Sequence, residues 1–387
     1  MNDEAELRAR LRSWLQESLP EEWTRTRLAE MSPDEAFEAQ RAWGKRVYEG
    51  GWSVPQWPRS AGGLGLSARL YYVYLEEMAR AGAPYLRNRA AINIFGQTLL
   101  RYGTDEQRER LIPPMLAHDE IWCQGFSEPE SGSDLASLRT RADAAPGGFT
   151  VHGQKLWASS AQYADRCFVL VRTSTDGPKH HGITFGVVDM RQAGVVVRPL
   201  RDITGAYEYN EVFFDDAFMR ADDVVGDVGS GWKIVNYALS QERGTSLAPR
   251  VMELEQQFED LRGDFNRHAE HDAFPREAFR GRLVDGYVDA RMALSLVRRN
   301  VSVVEEGGDL GVFPAMTKLT WSGVYQGLSR LGHDLEQAAP GRSEASAWTR
   351  ARTLLRSRPS SVYAGTSEIQ KNLIARSLDL PSSNGGG

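Results

Sequence analysis

The stretch CFVLVRT, residues 167–173, decides the fold class, because it interrupts a chain that otherwise has helical patterns. It is short, apolar and rich in β-branched side chains, which is typical of a buried strand. Four similar segments lie near it, bounded by Gly, Pro and Asp: FTVHGQKLWAS, ITFGVVDM, GVVVRPL and NEVFFDD. The sequence therefore predicts a sheet or small barrel in the middle of the chain.

Helical patterns precede this block. The segment SPDEAFEAQRAWGKRVYEGG starts with Ser32 as a helix cap, and SARLYYVYLEEMARAG has an apolar face at helical spacing. The segment GTDEQRERLIPPM carries a capping box, Thr104 with Gln107, and we expect Pro113 and Pro114 to end that helix.

Helical patterns also follow the block, over roughly 231–265, 276–306, 314–338 and 343–357. Because strands and helices do not alternate, a doubly wound nucleotide-binding fold is disfavoured. We predict an α+β, mostly helical fold. Its parts are an N-terminal helical domain (1–120), a central β domain (121–228), a C-terminal helical domain (229–380) and a disordered tail (381–387).

Composition excludes several classes of protein. The 387 residues are 41% hydrophobic and 25% charged, and no run approaches the ~20 apolar residues of a membrane span. The net charge of −6 argues against nucleic acid as a partner. Two cysteines, Cys123 and Cys167, make no disulfide framework, so we expect a reducing, cytoplasmic location. The seven histidines form no recognisable metal site.

The stretch CQGFSEPESGSDLAS, residues 123–137, joins the first helices to the strands. Its small hydroxyl side chains, Ser127, Ser131 and Ser133, suit a loop that wraps a polar ligand. A capped turn formed by Ser133 and Asp134 accounts for the same residues equally well.

Two further stretches carry candidate functional residues. In GQKLWASSAQYAD, Trp157 follows a predicted strand and is either a core residue or one wall of a flat pocket. In ALSQERGTS, Glu242 and Arg243 lie in a helix that is otherwise apolar. A solvated helix face is the default interpretation of such a pair.

The stretch SVYAGTSEIQ, residues 361–370, is a loop that leads into a helix. Thr366 or Ser367 can cap that helix, and Glu368 suits its first turn. Free N–H groups at such a start can bind phosphate, although an ordinary loop-to-helix junction is the commoner explanation.

In this order and spacing, three stretches resemble motifs of the acyl-CoA dehydrogenase family. CQGFSEPESGSDLAS is similar to TEPxAGSD, GQKLWASSAQYAD to GxKxWITNG, and VYAGTSEIQKNLIAR to IYEGTxxIQ. The likeness covers residues 5 to 380. It implies a helical domain, a central β-barrel and a C-terminal four-helix bundle, assembled as dimers or tetramers. It also implies FAD as cofactor, an acyl-CoA substrate, dehydrogenation to the trans-2-enoyl-CoA, and an electron-transferring flavoprotein as acceptor.

The resemblance assigns contacts with FAD to residues of all three motifs. Phe126 and Ser127 would lie along the isoalloxazine, with Ser133 at the ligand mouth beside the flavin or the pantetheine arm. Trp157 would cover one flavin face, and Ser159 would bond near N5. The pyrophosphate and ribose would meet residues of the last helix: Thr366, Ser367, Glu368 and Arg376.

The resemblance also raises the question of the catalytic base. The commonest members carry a glutamate where this chain has Ala364, which cannot remove a proton. In members resembling the isovaleryl-CoA and long-chain enzymes, the base comes immediately before an arginine that borders CoA. Glu242 and Arg243 occupy those two positions in this chain. The backbone N–H of Ala364 keeps the expected role of oxyanion donor. By family position, the acyl pocket would include three residues of NIFGQTLLRYG: Gln97, Thr98 and Leu99.

Two family segments that help to bind FAD across a subunit contact are missing. FNRHAEHDAFPREAF stands where RxxFG is expected, and DLEQAAPGRSEAS replaces QxxGGxG. A homo-oligomer and a mixed α2β2 assembly with flavin in half of its sites both remain open. The same fold also serves flavin oxidases and monooxygenases, and a flavin-poor partner subunit is a third alternative.

Overall fold

In the computed structural model, the described residues are 3–243 and 247–380, except for the side chains of residues 241–243. The helices in chain order are α1 (Glu4–Ser18), α2 (Arg25–Leu28), α3 (Pro33–Glu49), α4 (Ala68–Arg80), α5 (Gln97–Tyr102), α6 (Asp105–Leu116), α7 (Gly231–Arg243), α8 (Ala248–His268), α9 (Arg276–Glu305), α10 (Phe313–Ala338), α11 (Glu344–Ser357) and α12 (Ser367–Ser377). The strands are β1 (Trp122–Gly125), β2 (Arg141–Ala145), β3 (Gly148–Lys155), β4 (Arg166–Arg172), β5 (Ile183–Asp189), β6 (Val195–Leu200) and β7 (Tyr209–Arg220). The predicted fold class, α+β and mostly helical with a central sheet, is confirmed.

The chain forms two compact units, and neither is continuous in sequence. The first contains Met1–Leu66 and Arg80–Glu242, and the second contains Ser67–Ala79 and Arg243–Gly387. Most of α4 therefore belongs to the second unit, although it comes early in the chain. The three-part domain division stays a prediction.

The sheet of the first unit has the strand order β1-β4-β2-β3-β7-β6, with β5 paired to β4. The β1–β4 pair is parallel, whereas β3–β7, β6–β7 and β4–β5 are antiparallel. All five predicted strands are present. Sequence patterns missed β1 and β2, because β1 has four residues and the sequence of β2, RADAA, has low strand propensity.

A cluster of stacked aromatic rings joins the helical segment of the first unit to its sheet. The Phe95 ring lies 4.9 Å from that of Trp122, 5.4 Å from that of Phe168 and 6.1 Å from that of Phe185. All four side chains are buried. Each buried aromatic removes about 150–250 Å² of surface from water, so this cluster fixes the start of β1 against β4 and β5.

The second unit is a helical bundle with its own core. Val251, Leu261, Leu294 and Leu331 are buried in that core, and Tyr72 of α4 packs with them. None of the helices within residues 3–243 and 247–380 is long and apolar enough to cross a membrane.

The predicted helix starts are confirmed. The Ser32 hydroxyl accepts a hydrogen bond from the Glu35 N–H, and the Glu35 carboxylate accepts one from the Ser32 N–H. Thr104 and Gln107 form the same reciprocal pair at the start of α6. Each box satisfies N–H groups that the first helical turn leaves without partners.

The expected stop at Pro113 and Pro114 is wrong, because α6 continues to Leu116. Proline lacks an N–H, but its carbonyl still accepts, and the Ala117 N–H donates to the Pro113 oxygen at 2.9 Å. The carbonyls that lose their helical donors belong to Glu109 and Arg110, which are exposed and accessible to water.

The helix predicted over 231–265 corresponds to two described elements, α7 and α8. Residues 244–246, between them, lie outside the described residues. The other three predicted helices match α9, α10 and α11 within a residue or two.

His118 is a fully buried histidine that follows α6. Its Nδ1 lies 3.1 Å from the Leu116 oxygen, and its Nε2 faces the Asn88 N–H, an arrangement that suits a neutral imidazole. Burial lowers the pKa of His118 to about 4, and the nearby charges of Arg41 and Lys45 act in the same direction.

We expect His118 to make the free energy of unfolding depend on pH. The unfolded chain binds a proton below about pH 6.5, which the folded chain takes up only near pH 4, so stability is lost as the pH falls through this window. His118→Asn tolerates the left-handed backbone at φ 57° and removes the titrating group. Urea unfolding at pH 7.5 and 5.0 should show about 2 kcal/mol less acid destabilisation in the variant. Equal losses would contradict this assignment.

Candidate functional site

A buried ion pair connects two of the motifs in the first unit. The Lys155 Nζ lies 2.7 Å from the Glu128 Oε1, with the two side chains 0% and 8% exposed. Glu128 belongs to the serine-rich stretch, and Lys155 is the last residue of β3. The Leu156 N–H also donates to the Ser127 oxygen at 2.9 Å, so the two segments are held side by side.

Glu128 has hydrogen-bond donors on both carboxylate oxygens. The Arg139 N–H donates to Oε2 at 2.6 Å, and the Thr140 N–H donates to Oε1 at 2.9 Å. Burial acts to raise the pKa of Glu128, but the Lys155 charge and these hydrogen bonds outweigh it, and the pKa lies below its ordinary value. Burial lowers the pKa of Lys155, and the Glu128 carboxylate opposes that shift. The pair therefore holds an ionised carboxylate inside the protein.

Trp157 follows this pair and is 58% exposed. Its φ is +65°, a left-handed conformation that is rare for a bulky residue. The Tyr209 ring lies edge-on at 5.9 Å, and the Ala158 and Asn210 backbones exchange hydrogen bonds. The interpretation of Trp157 as a core residue is wrong, because a strained backbone presents the indole to solvent.

The turn after Trp157 is held by a residue that the sequence analysis missed. The Arg87 Nη1 donates to the Ser160 Oγ at 3.1 Å, and its guanidinium lies over the rings of Phe37 and Tyr163. Ser160 is also left-handed, whereas Ser159 is exposed. No local pattern around Arg87 could have indicated this contact, which spans 73 residues of chain.

The serine-rich stretch divides into core and surface residues. The Phe126 ring is buried and lies edge-on to Phe168 and Phe185, so its main chain alone is left for a ligand. Ser127 is partly exposed, and Ser133 is exposed.

A different serine closes the turn in this stretch. Ser131, rather than Ser133, is buried and donates to the Asp134 oxygen at 2.9 Å. Asp134 instead binds Ser137 and Lys179, so the proposed Ser133–Asp134 cap is wrong. Ser133 is therefore not the residue that closes this turn, and its contact with a ligand stays a prediction.

The three residues proposed for the acyl pocket lie in the first turn of α5. Thr98 is fully buried, and its hydroxyl donates to the Ile94 oxygen at 2.7 Å. Leu99 is also fully buried, in the core that contains Phe95. Gln97 is partly exposed. The assignment of all three to an acyl pocket stays a prediction, and Gln97 has the most accessible side chain.

In the second unit, the loop before α12 has two successive left-handed residues. The φ angles are +54° at Ala364 and +85° at Gly365. The N–H groups of Ala364, Gly365 and Thr366 have no hydrogen-bond partner within the described part of the chain. Adjacent free N–H groups of this kind form a concave donor surface for a negatively charged oxygen.

The start of α12 has the capping that the sequence predicts. The Thr366 hydroxyl accepts from the Ile369 N–H at 3.2 Å, and Ser367 is the first helical residue. Hydrogen bonds from its own N–H and from Thr366 hold the pKa of the exposed Glu368 below its ordinary value. Arg376 lies exposed in the last turn.

Glu242 and Arg243 are the last two residues of α7. Their side chains lie outside the described residues, so their assignment as base and CoA neighbour stays a prediction.

We expect the buried ion pair to stabilise the fold far more than an exposed pair of similar length. Lys155→Met leaves the Glu128 carboxylate buried without its counter-ion, which should cost about 3–5 kcal/mol of unfolding free energy. The matched control is Lys179→Met, which breaks the Lys179–Asp134 pair, 52% and 57% exposed, and should cost about 0–1 kcal/mol. Urea unfolding followed by tryptophan fluorescence measures both changes. Similar losses in the two variants would show that the buried pair has no special role.

Family models match the chain over nearly its whole length: the acyl-CoA dehydrogenase N-terminal domain at residues 1–119, the middle domain at 123–217 and the C-terminal domain at 229–378. Acyl-CoA dehydrogenase IpdE1 of Mycobacterium tuberculosis is 37% identical over an alignment of 390 positions, gaps included, which covers 98% of this chain and 99% of IpdE1. Two solved structures are also similar. The Tcur3481-Tcur3483 steroid ACAD has a TM-score of 0.84 at 26% identity, and the ChsE4-ChsE5 complex from Mycobacterium tuberculosis has 0.78 at 26%, each over 98% of both chains. The chain therefore belongs to the acyl-CoA dehydrogenase family and is an oxidoreductase of that flavoprotein family.

Proposed function

We propose that this chain catalyses FAD-dependent α,β-dehydrogenation of an acyl-CoA thioester to the trans-2-enoyl-CoA. The observation that carries the proposal is the Ala364–Gly365 loop, whose left-handed backbone leaves adjacent N–H donors free. Removing an α-proton from a thioester places negative charge on the carbonyl oxygen, and donors aimed at that oxygen stabilise the charge.

The residues present fit a flavin of the FAD type. Trp157 offers a large exposed aromatic face, with the exposed hydroxyl of Ser159 beside it in sequence and the partly exposed Ser127 on the adjoining segment. The positive end of α12, with its capping Thr366, suits a phosphate group. By family resemblance, Ser133, Ser367, Glu368 and Arg376 also contact the cofactor, as does the Phe126 main chain. When bound, FAD supplies the acceptor for the hydride that leaves the β-carbon.

We assign proton abstraction to Glu242. Ala364 has no side chain that can accept a proton, so another carboxylate must remove it. Glu242 precedes Arg243 in the register of family members that carry the base on this helix. The Ala364 N–H then serves as the oxyanion donor, and Arg243 borders the CoA moiety.

For the substrate, we propose a bulky acyl group such as a steroid-derived acyl-CoA. One structural neighbour with 26% identity is a steroid ACAD, and the similarity covers 98% of both chains. The proposed position of the base on α7 supports the same class of substrate, since family members with that arrangement take branched or long substrates.

We propose that the chain works in a mixed assembly with a second chain of the same family. Both structural neighbours described above carry paired names, and one is called a complex. In this chain, α9 exposes Val284, Val288 and Met292 at intervals of one helical turn, at 58%, 49% and 53%. Such an apolar stripe suits contact with another helix. We propose an electron-transferring flavoprotein as the electron acceptor.

Glu242→Gln should keep the FAD content of the wild-type protein and lose dehydrogenation, because the amide cannot accept the α-proton. Flavin reduction by acyl-CoA in stopped flow should slow by about 10²–10⁴-fold. Glu259→Gln changes an exposed bundle carboxylate and should leave the rate unchanged. Rapid flavin reduction in Glu242→Gln would show that the base lies elsewhere.

Purified alone, this chain should hold well below one FAD per protomer, because the two family segments that bind FAD across a subunit contact are missing. Absorbance of the bound flavin against protein concentration measures the ratio, and light scattering gives the assembly size. A homo-oligomer with nearly full FAD occupancy would contradict the mixed assembly without affecting the proposed reaction.

A further inference from the structure

We infer that Gln370 is a positioning residue, whose side-chain amide orients the backbone N–H donors of the Ala364–Thr366 loop. This role rests on the dehydrogenation proposed above. Gln370 lies in the first turn of α12 and is fully buried, unlike the partly or wholly exposed residues on either side of it.

The contacts of Gln370 are with two consecutive carbonyls. Its Nε2 donates to the Ala364 oxygen at 3.1 Å and to the Gly365 oxygen at 3.2 Å. The opposite amide orientation would place Oε1 against both carbonyl oxygens, so the assignment of donor and acceptor is unambiguous. The Oε1 is buried and has no hydrogen-bond partner within the described part of the chain. Both donors of this side chain are therefore directed at the loop.

Because the peptide bond is planar, these contacts also determine the direction in which the backbone N–H groups of the loop point. In a trans peptide, the N–H points opposite to the carbonyl of the preceding residue. With the Ala364 and Gly365 carbonyls turned towards Gln370, the N–H groups of Gly365 and Thr366 point to the other side of the loop. The same contacts hold Ala364 in its left-handed conformation and thereby fix its own N–H.

Gly365, the residue after Ala364, leaves the space that the Gln370 side chain needs. A Cβ added to Gly365 would lie 2.5 Å from the Gln370 Nε2, closer than Cβ atoms approach other heavy atoms in proteins. At φ +85°, a larger residue would also be strained. Gly365 and Gln370 therefore act together, one by allowing the close approach and the other by bonding across it.

The test uses Gln370→Met, which keeps the size of the side chain and removes both donors. The matched control is Gln326→Met, because the Gln326 Nε2 also donates to two successive carbonyls of the second unit, those of Ser357 and Arg358. Gln370→Asn keeps the amide but shortens it by one methylene, and it replaces Gln370→Met if that variant does not fold.

The probe is acetoacetyl-CoA, whose enolate absorbs in the near ultraviolet and carries the same oxyanion as the proposed intermediate. In FAD-loaded protein, Gln370→Met should lower the ionisation constant of bound acetoacetyl-CoA at least tenfold, with its total binding changed by less than threefold. With the best acyl-CoA from a panel of straight-chain, branched and steroid-derived thioesters, kcat should fall at least tenfold while KM stays within threefold. Gln326→Met should leave the ionisation constant within twofold.

Two results would overturn the role of Gln370 while leaving the proposed function intact. One is an unchanged ionisation constant in Gln370→Met. The other is full recovery in Gln370→Met combined with Ala364→Gly, which would mean that Gln370 only offsets backbone strain. Failure of the wild-type protein to ionise bound acetoacetyl-CoA would overturn the proposed function, and this inference with it.

Discussion

The buried Glu128–Lys155 ion pair is the contact on which the site of the first unit depends. It joins the serine-rich stretch to the end of β3, and Trp157 stands two residues beyond it. Two charges taken out of water are costly unless further hydrogen bonds satisfy them. Here the Arg139 and Thr140 N–H groups supply those bonds, so the same carboxylate also fixes the start of β2. One side chain thus sets the relative positions of three segments.

Left-handed backbone occurs at or beside candidate functional residues in both units. Trp157, Ser160 and Ala364 are all left-handed without being glycine. Such conformations persist only where surrounding contacts hold them, and they are common at sites that bind ligands. The holding contacts are Arg87 for Ser160 and Gln370 for Ala364. The two units therefore use the same physical arrangement, in which a side-chain donor, partly buried for Arg87 and fully buried for Gln370, holds an unfavourable turn beside a candidate binding residue.

Sequence patterns correctly predict the helices and strands whose determinants lie within a few residues of each other. Helix caps such as Ser32 and Thr104 and the apolar strand around Val169 were read correctly, because their determinants lie within a few residues. The expected proline stop of α6 is wrong: the two carbonyls that lose their helical donors belong to exposed residues, and the Pro113 carbonyl still accepts a hydrogen bond. The family motifs indicated Trp157 and the Ala364 loop. Lys155 and Gln370 lie inside the same motifs, but no local pattern predicts their roles, because the burial and the partners of a side chain depend on distant parts of the chain.

The membership of α4 in the second unit has a consequence for how the chain must fold. Tyr72 packs in the bundle core with Leu261 and Leu294, and the Arg69 N–H donates to the Glu305 carboxylate. In the sequence, α4 is followed by all of Arg80–Glu242, and the helices that pack around α4 come only after that segment. A fragment that starts at α8 would lack one wall of its own core, so the bundle is not a transplantable C-terminal module. During synthesis on the ribosome, the apolar face of α4 would stay exposed to water until most of the protein had been made.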